Sequence, residues 1–104
     1  MIPGLTARLA DLAALNQTTT YGQLARDLNL TGPATIARLT SALEALMDED
    51  AASGRPLRAA LLIARNSTLP AQGFFDKAAA LGLSFPDRAA FIAEQRDALK
   101  FICS

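Results

Sequence analysis

The sequence predicts a mainly α domain with a minimal β-sheet. Its arrangement is winged-helix-like, a helix-turn-helix core with two further helices at the C-terminal end. Three observations lead there. The chain has 104 residues, 51% of them hydrophobic and 19% charged, which suits one folded domain rather than a disordered segment. Apolar residues recur at spacings of three and four in five separate segments, the helical period. Only one stretch, residues 57–64, reads as a strand, and a strand needs a partner. Residues 1–104 are therefore read as a single domain, with a helix-turn-helix core and strand over 3–66 and a helical extension over 67–104.

The elements follow in order. Leu5, Leu9, Leu12 and Leu15 predict a helix over 3–15. Pro3 suits its first turn, where a missing N–H costs nothing. Asn16 to Thr20 breaks the period, and three threonines favour an extended stretch. A second helix is expected over 21–29, with Thr20 as N-cap and Gln23 at capping-box spacing. Its inner face is Leu24, Ala25 and Leu28. Residues 29–33, with Gly32 and Pro33, form a turn. Ile36, Leu39, Leu43, Leu46 and Met47 carry the strongest period in the chain and predict a third helix over 34–51. Asp48, Glu49 and Asp50 oppose its macrodipole and are expected to be a solvated, fraying end.

Residues 57–64 are short, apolar and bounded by Pro56 and Asn66-Ser67, hence a strand, with the threonines at 18–20 as its partner. A fourth helix is expected over 72–81, with Phe74, Phe75, Ala78 and Leu81 inward and Gly82 closing it. The last helix, over 87–102, turns Arg88, Glu94, Arg96 and Lys100 mostly outward. Phe91, Ile92, Phe101 and Ile102 make too wide an apolar face for one stripe, which implies deep burial or a dimer contact.

Composition excludes several function classes. Ten basic and ten acidic residues give a formal charge of +0, so no strongly basic coat exists, although a local basic patch is allowed. With no His and one Cys, a disulfide framework, a His-based zinc site and a His-activated nucleophile are all excluded within one chain. No phosphate-binding glycine motif occurs. Adjacent acids on a helix splay around its axis and do not converge on a metal. No cofactor and no metal are expected, and the chain is read as no enzyme. The start of the chain lacks a secretory pattern. The longest apolar run, residues 59–64, is far shorter than the roughly 20 residues a membrane span needs. Cys103 reads as a free thiol near the terminus, so a cytoplasmic location is expected.

The run Thr20-Tyr21-Gly22-Gln23-Leu24-Ala25-Arg26, followed by Gly32-Pro33 and a helix, resembles the winged-helix half of alkylguanine-DNA alkyltransferases and alkyltransferase-like proteins. The resemblance covers residues 18–60 and is tight only over the first run. It implies a winged-helix fold and a DNA-facing Tyr21. That family accepts the alkyl group on a cysteine within Pro-Cys-His-Arg after the recognition helix. Here the corresponding region reads Ala60-Leu61-Leu62-Ile63-Ala64-Arg65, so no alkyl transfer is implied. Where the family inserts an arginine into the base stack, this chain has Thr35 or Ile36, with Arg38 shortly after.

The candidate DNA-binding residues are Tyr21, Thr35, Arg38, Ser41, Arg55, Arg58 and Arg65. A third helix lying in the major groove would present Thr35, Arg38 and Ser41 to base edges. Arg55, Arg58 and Arg65, with no acid among them, would follow phosphates from a wing. Read otherwise, these are solvated side chains, and the three arginines guard a strand edge. The expected partner is duplex DNA. The competing expectation is a protein partner or a homodimer through the C-terminal helices. No membrane partner is expected.

Overall fold

The computed structural model describes residues 2–103, with the Cys103 side chain outside the described residues. Five helices and two very short strands follow one another: α1 (Leu5–Ala14), β1 (Thr19–Thr20), α2 (Tyr21–Asp27), α3 (Thr35–Ala52), a 3-10 turn (Arg58–Leu61), β2 (Leu62–Ile63), α4 (Gln72–Ala80) and α5 (Arg88–Cys103). The two strands pair in parallel, Thr19 opposite Leu62 and Thr20 opposite Ile63. A parallel pair needs a long crossover, and α2, α3 and the 3-10 turn supply it. The threonine stretch is thus the partner that the sequence pointed to.

The core takes at least one large side chain from most elements. Leu9, Leu24, Leu39, Met47, Leu62 and Ile92 are almost wholly buried. Burying each stabilises the fold by about 1.5–3 kcal/mol. The helix α5 lies across α1 and the 3-10 turn, and α2 and α4 both pack on α3, with Lys77 of α4 at Asp48. Arg8 of α1 pairs with Asp27 of α2 at 3.4 Å. The radius of gyration is 12.7 Å, close to the ~13 Å expected of a compact chain of this length. No described helix is long and apolar enough to cross a membrane.

Local chemistry explains the helix boundaries. At the start of α2 the Thr20 hydroxyl accepts the Gln23 N–H at 3.1 Å, the cap expected from the sequence. Four helices end in one way. After α1 the Asn16 and Gln17 amides reach back to Ala13 and Leu12, and after α2 those of Asn29 and Leu30 reach Arg26 and Ala25. After α3 the Gly54 and Arg55 amides reach Ala51 and Asp50, and α4 closes likewise on Gly82 and Leu83. These are Schellman closures, which need a left-handed residue just past the helix. Asn and Gly take that conformation most readily.

The strand expected over 57–64 is the main departure. Residues 58–61 wind into the 3-10 turn and only two residues are extended. Two causes combine. Ala59, Ala60, Leu61 and Leu62 are all buried, and an apolar run buried on every side has no period to distinguish strand from turn. The ladder also cannot lengthen, because Thr20 leaves it to cap α2.

The last helix departs too. Arg96, expected outward, turns in, and its Nε donates to the Ala60 carbonyl at 2.8 Å. Its neighbour Gln95 accepts the Leu57 N–H at 2.8 Å. Both satisfy polar backbone groups that the 3-10 turn leaves without partners. Burial lowers the Arg96 pKa below its ordinary value. Ile92 and Leu99 are buried, whereas Phe101 is 84% and Ile102 60% exposed. Phe74 and Phe75 are core residues in edge-to-face contact at 5.2 Å. Phe85 stacks obliquely on Phe75 at 5.5 Å, and Arg88 lies 4.4 Å over the Phe75 ring. The junction of α4 and α5 is held by these rings.

Candidate functional site

The turn between α2 and α3 stands in solvent, with Thr31, Gly32, Pro33 and Ala34 all exposed. Ala34 caps α3 in the left-handed conformation, φ 57° and ψ 32°, which strains a residue with a Cβ. The Thr35 hydroxyl donates to the Gly32 carbonyl at 2.8 Å. From one turn further on, Arg38 reaches back with Nη2 to the Thr31 carbonyl at 2.5 Å. The turn is thereby tied to the helix it begins. Arg38 is exposed and this is its one side-chain hydrogen bond to the described residues, so most of its five guanidinium donors are free.

Along α3, Leu39, Leu43, Leu46, Met47 and Asp50 face the interior. The opposite side shows Ala37, Arg38, Ser41 and Ala45, all exposed. Its first half is small-sided, with Arg38 as its cation, and it runs on to the exposed Asp48 three residues after Ala45, with the half-buried Glu44 beside Ser41. Between it and residues 2–6 lies an open groove of about 1050 Å³. Arg38 and Ser41 line one end. Arg55, Arg58 and Glu49 line the other, and Ala42 and Leu46 lie between them. From Arg38 to Glu49 the helix climbs about 16 Å at ~1.5 Å per residue.

The far end is built around Asp50, which is only 1% exposed. Arg58 donates its backbone N–H to Oδ2 at 3.0 Å. Its Nε donates to both carboxylate oxygens at 3.1 Å, and Nη2 lies 2.9 Å from Oδ1. Arg55 adds a looser contact at 3.5 Å and is half exposed. The closure of α3 makes this possible, because the Arg55 amide bonds the Asp50 carbonyl at 2.8 Å and folds the chain back over the helix end. Glu49 lies 3.9 Å from Arg58, and Asp48 pairs with Lys77 of α4 at 3.0 Å. The acids expected to be a solvated run are each partnered, and one is buried.

The remaining candidate residues lie off the groove. Tyr21 opens α2, and its hydroxyl accepts the Ala71 N–H at 3.2 Å. Burial raises its pKa above the ordinary value, against a smaller lowering from that hydrogen bond. Thr35 is half-buried at the start of α3. Arg65 is exposed on the loop after β2, with no ion pair or side-chain hydrogen bond among the described residues. The structure thus brings Arg38, Ser41, Arg55 and Arg58 to one groove and leaves Tyr21, Thr35 and Arg65 apart. A smaller cavity of about 400 Å³ lies between α1 and α5 and shares Arg55 and Arg58 as a wall.

Two features of the site escape a reading by residue type. One is Asp50, although a signal existed: it continues the inward stripe seven residues after Leu43 and three after Met47. The other is the chain start, where Ile2 and Pro3 form the second wall of the groove, and nothing in their sequence marks it. Comparison with protein-family models, curated proteins and solved structures finds no match for this chain.

Proposed function

We propose that the chain is a non-enzymatic, winged-helix-like DNA-binding module whose reading helix is α3, acting in the cytoplasm. The observation that carries this reading is the exposed first half of α3: Arg38 and Ser41 beside the small Ala37, with Ile36 also 47% exposed, behind an exposed turn. A helix with such a face can approach the floor of the major groove closely, and readers of this kind use the residues near the helix start. Arg38 suits guanine, and Ser41 and Thr35 suit base edges or phosphates. The free Arg65, and Arg26 on α2, suit phosphates. The pairing of Asp48, Glu49 and Asp50 with basic residues reduces the repulsion that three bare acids would exert.

Fluorescence anisotropy with a random-sequence duplex tests it. With two or three phosphates neutralised, affinity falls about 10- to 40-fold between 50 and 200 mM salt. Arg65→Ala lowers the slope against log salt by about one, and Arg38→Ala weakens binding. No binding at 50 mM salt refutes the proposal.

A second reading, a protein-interaction module on the same scaffold, is favoured by the exposure of Phe101 and Ile102 at the end of α5. It expects self-association or capture of a partner that charge substitutions at Arg38 and Arg65 leave untouched.

A further inference from the structure

The groove along α3 has a polarity that its lining residues alone do not reveal. Arg55, Arg58, Glu49 and Asp50 make the far end charge-neutral, because each arginine there faces a carboxylate. The near end has Arg38 and no acid lining it. Arg38 spends one donor on the Thr31 carbonyl, and the Ser41 hydroxyl makes no hydrogen bond to the described residues. Between the ends the walls are apolar or small: Ile2 and Pro3 on one side, Ala42, Ala45 and Leu46 on the other. The volume, about 1050 Å³, is at the upper end of small-molecule sites, which are mostly apolar with a few polar groups fixing orientation.

We infer that this groove binds an amphiphilic monocarboxylate, its head on Arg38 and Ser41 and its apolar chain lying along α3 toward the neutral end. One net positive charge at one end selects one anionic head. A planar guanidinium with free donors suits a carboxylate. Among the described residues, a cationic amphiphile has no carboxylate free of an arginine to meet at the far end, and a dianion has no second uncompensated cation lining the groove. The site itself stands on this geometry. Its consequence rests on the DNA-binding reading: a carboxylate on Arg38 and Ser41 withdraws both from the duplex, so ligand and DNA compete.

Octanoate is the probe, with acetate and 1-octanol as controls for chain and charge. Titrated into the ¹⁵N-labelled full chain, octanoate gives saturable shifts of the amides of residues 2–6 and 37–49. Acetate binds at least about tenfold more weakly, since the chain supplies the apolar burial. Octanol binds about tenfold more weakly, the worth of one charge-assisted hydrogen bond. Arg38→Ala weakens octanoate about tenfold, and Ala45→Asp, which puts an acid in the path of the chain, weakens it further. Both positions are exposed, and the native amide spectrum of each variant shows that it folds. The inference is overturned if octanoate leaves the groove amides unmoved, if octanol binds as tightly, or if neither variant weakens it. No DNA enters this titration. A chain that binds octanoate here but not a duplex supports the site and refutes the DNA-binding reading. A chain that binds DNA through Arg38 and ignores octanoate does the reverse.

Discussion

Asp50→Ala tests the construction of the site most directly. It removes a carboxylate that is 1% exposed and that accepts from the Arg58 backbone and guanidinium and contacts Arg55. Losing one partner of a buried ion pair costs about 3–5 kcal/mol when the other charge stays trapped. Here neither arginine is fully trapped. The Arg58 side chain is 21% exposed and that of Arg55 is 50% exposed, so both can turn partly to water. The orphaned Arg58 N–H adds about 1 kcal/mol. The expected loss is about 2–4 kcal/mol, or on the order of 10–30 °C in melting temperature for a domain of this size.

The assay is urea unfolding followed by circular dichroism, with Asp48→Ala as the internal comparison. Asp48 is also acidic, lies two residues away and also has a cationic partner, yet its side chain is 55% exposed. An exposed pair contributes about 0–1 kcal/mol. Asp50→Asn, which keeps an acceptor and loses the charge, falls between wild type and Asp50→Ala. The reasoning is refuted if Asp50→Ala costs less than about 1 kcal/mol, or no more than Asp48→Ala.

Two further outcomes are expected. Tyr21 is the only tyrosine, so ultraviolet absorbance titration follows it alone: burial raises its pKa, so it ionises above pH 10. A group whose pKa is raised on folding contributes fully below its unfolded pKa, so this contribution is present up to about pH 10 and is lost as pH rises through the folded value; a midpoint at or below 10 contradicts it. Ala34→Gly relieves a left-handed alanine worth about 1–2 kcal/mol against an unfolded-state entropy cost of ~0.5–1 kcal/mol, so stability rises by up to about 1.5 kcal/mol, and a loss in urea unfolding counts against strain in that turn.

The helices were legible because each has an apolar stripe and marked ends. Thr20 announced its cap, Gly82 its closure, and the Leu39-Leu43-Leu46 spacing the one long helix. The pairing of the threonines with residues 62–63 was legible by elimination, since no other extended stretch offered itself. Residues 58–61 were not. A turn and a strand bury Ala-Ala-Leu equally well, and the deciding groups, the Gln95 amide and the Arg96 guanidinium, come from more than thirty residues away. The site was legible residue by residue and not as a unit. Arg38, Ser41, Arg55 and Arg58 all drew attention by type, but what sorts them is the burial of Asp50. The stripe periodicity carried that fact, and reading three adjacent acids as one charge run hid it.

The acidic end of α3 resolves an apparent contradiction in a chain of zero formal charge. Acids in the last turn of a helix oppose its macrodipole, at about 0.3–1 kcal/mol each when exposed. They persist here because the segments that follow the helix bring Arg55, Arg58 and Lys77 to them. The acids thus act as docking points that fix the 3-10 turn and α4 against α3. Those three basic residues are consumed in the process, and the charge left along α3 for an incoming ligand is Arg38, at the end of the helix where its dipole is positive. Neutrality of the whole chain is therefore compatible with an anion-directed start of α3, because the neutralisation is local and lies at the opposite end of that helix. The same sorting limits what the face can attract. A single exposed arginine beside small side chains suits close, oriented contact with one anionic group, and any hold on phosphates falls to cations off this face, such as Arg65 and Arg26.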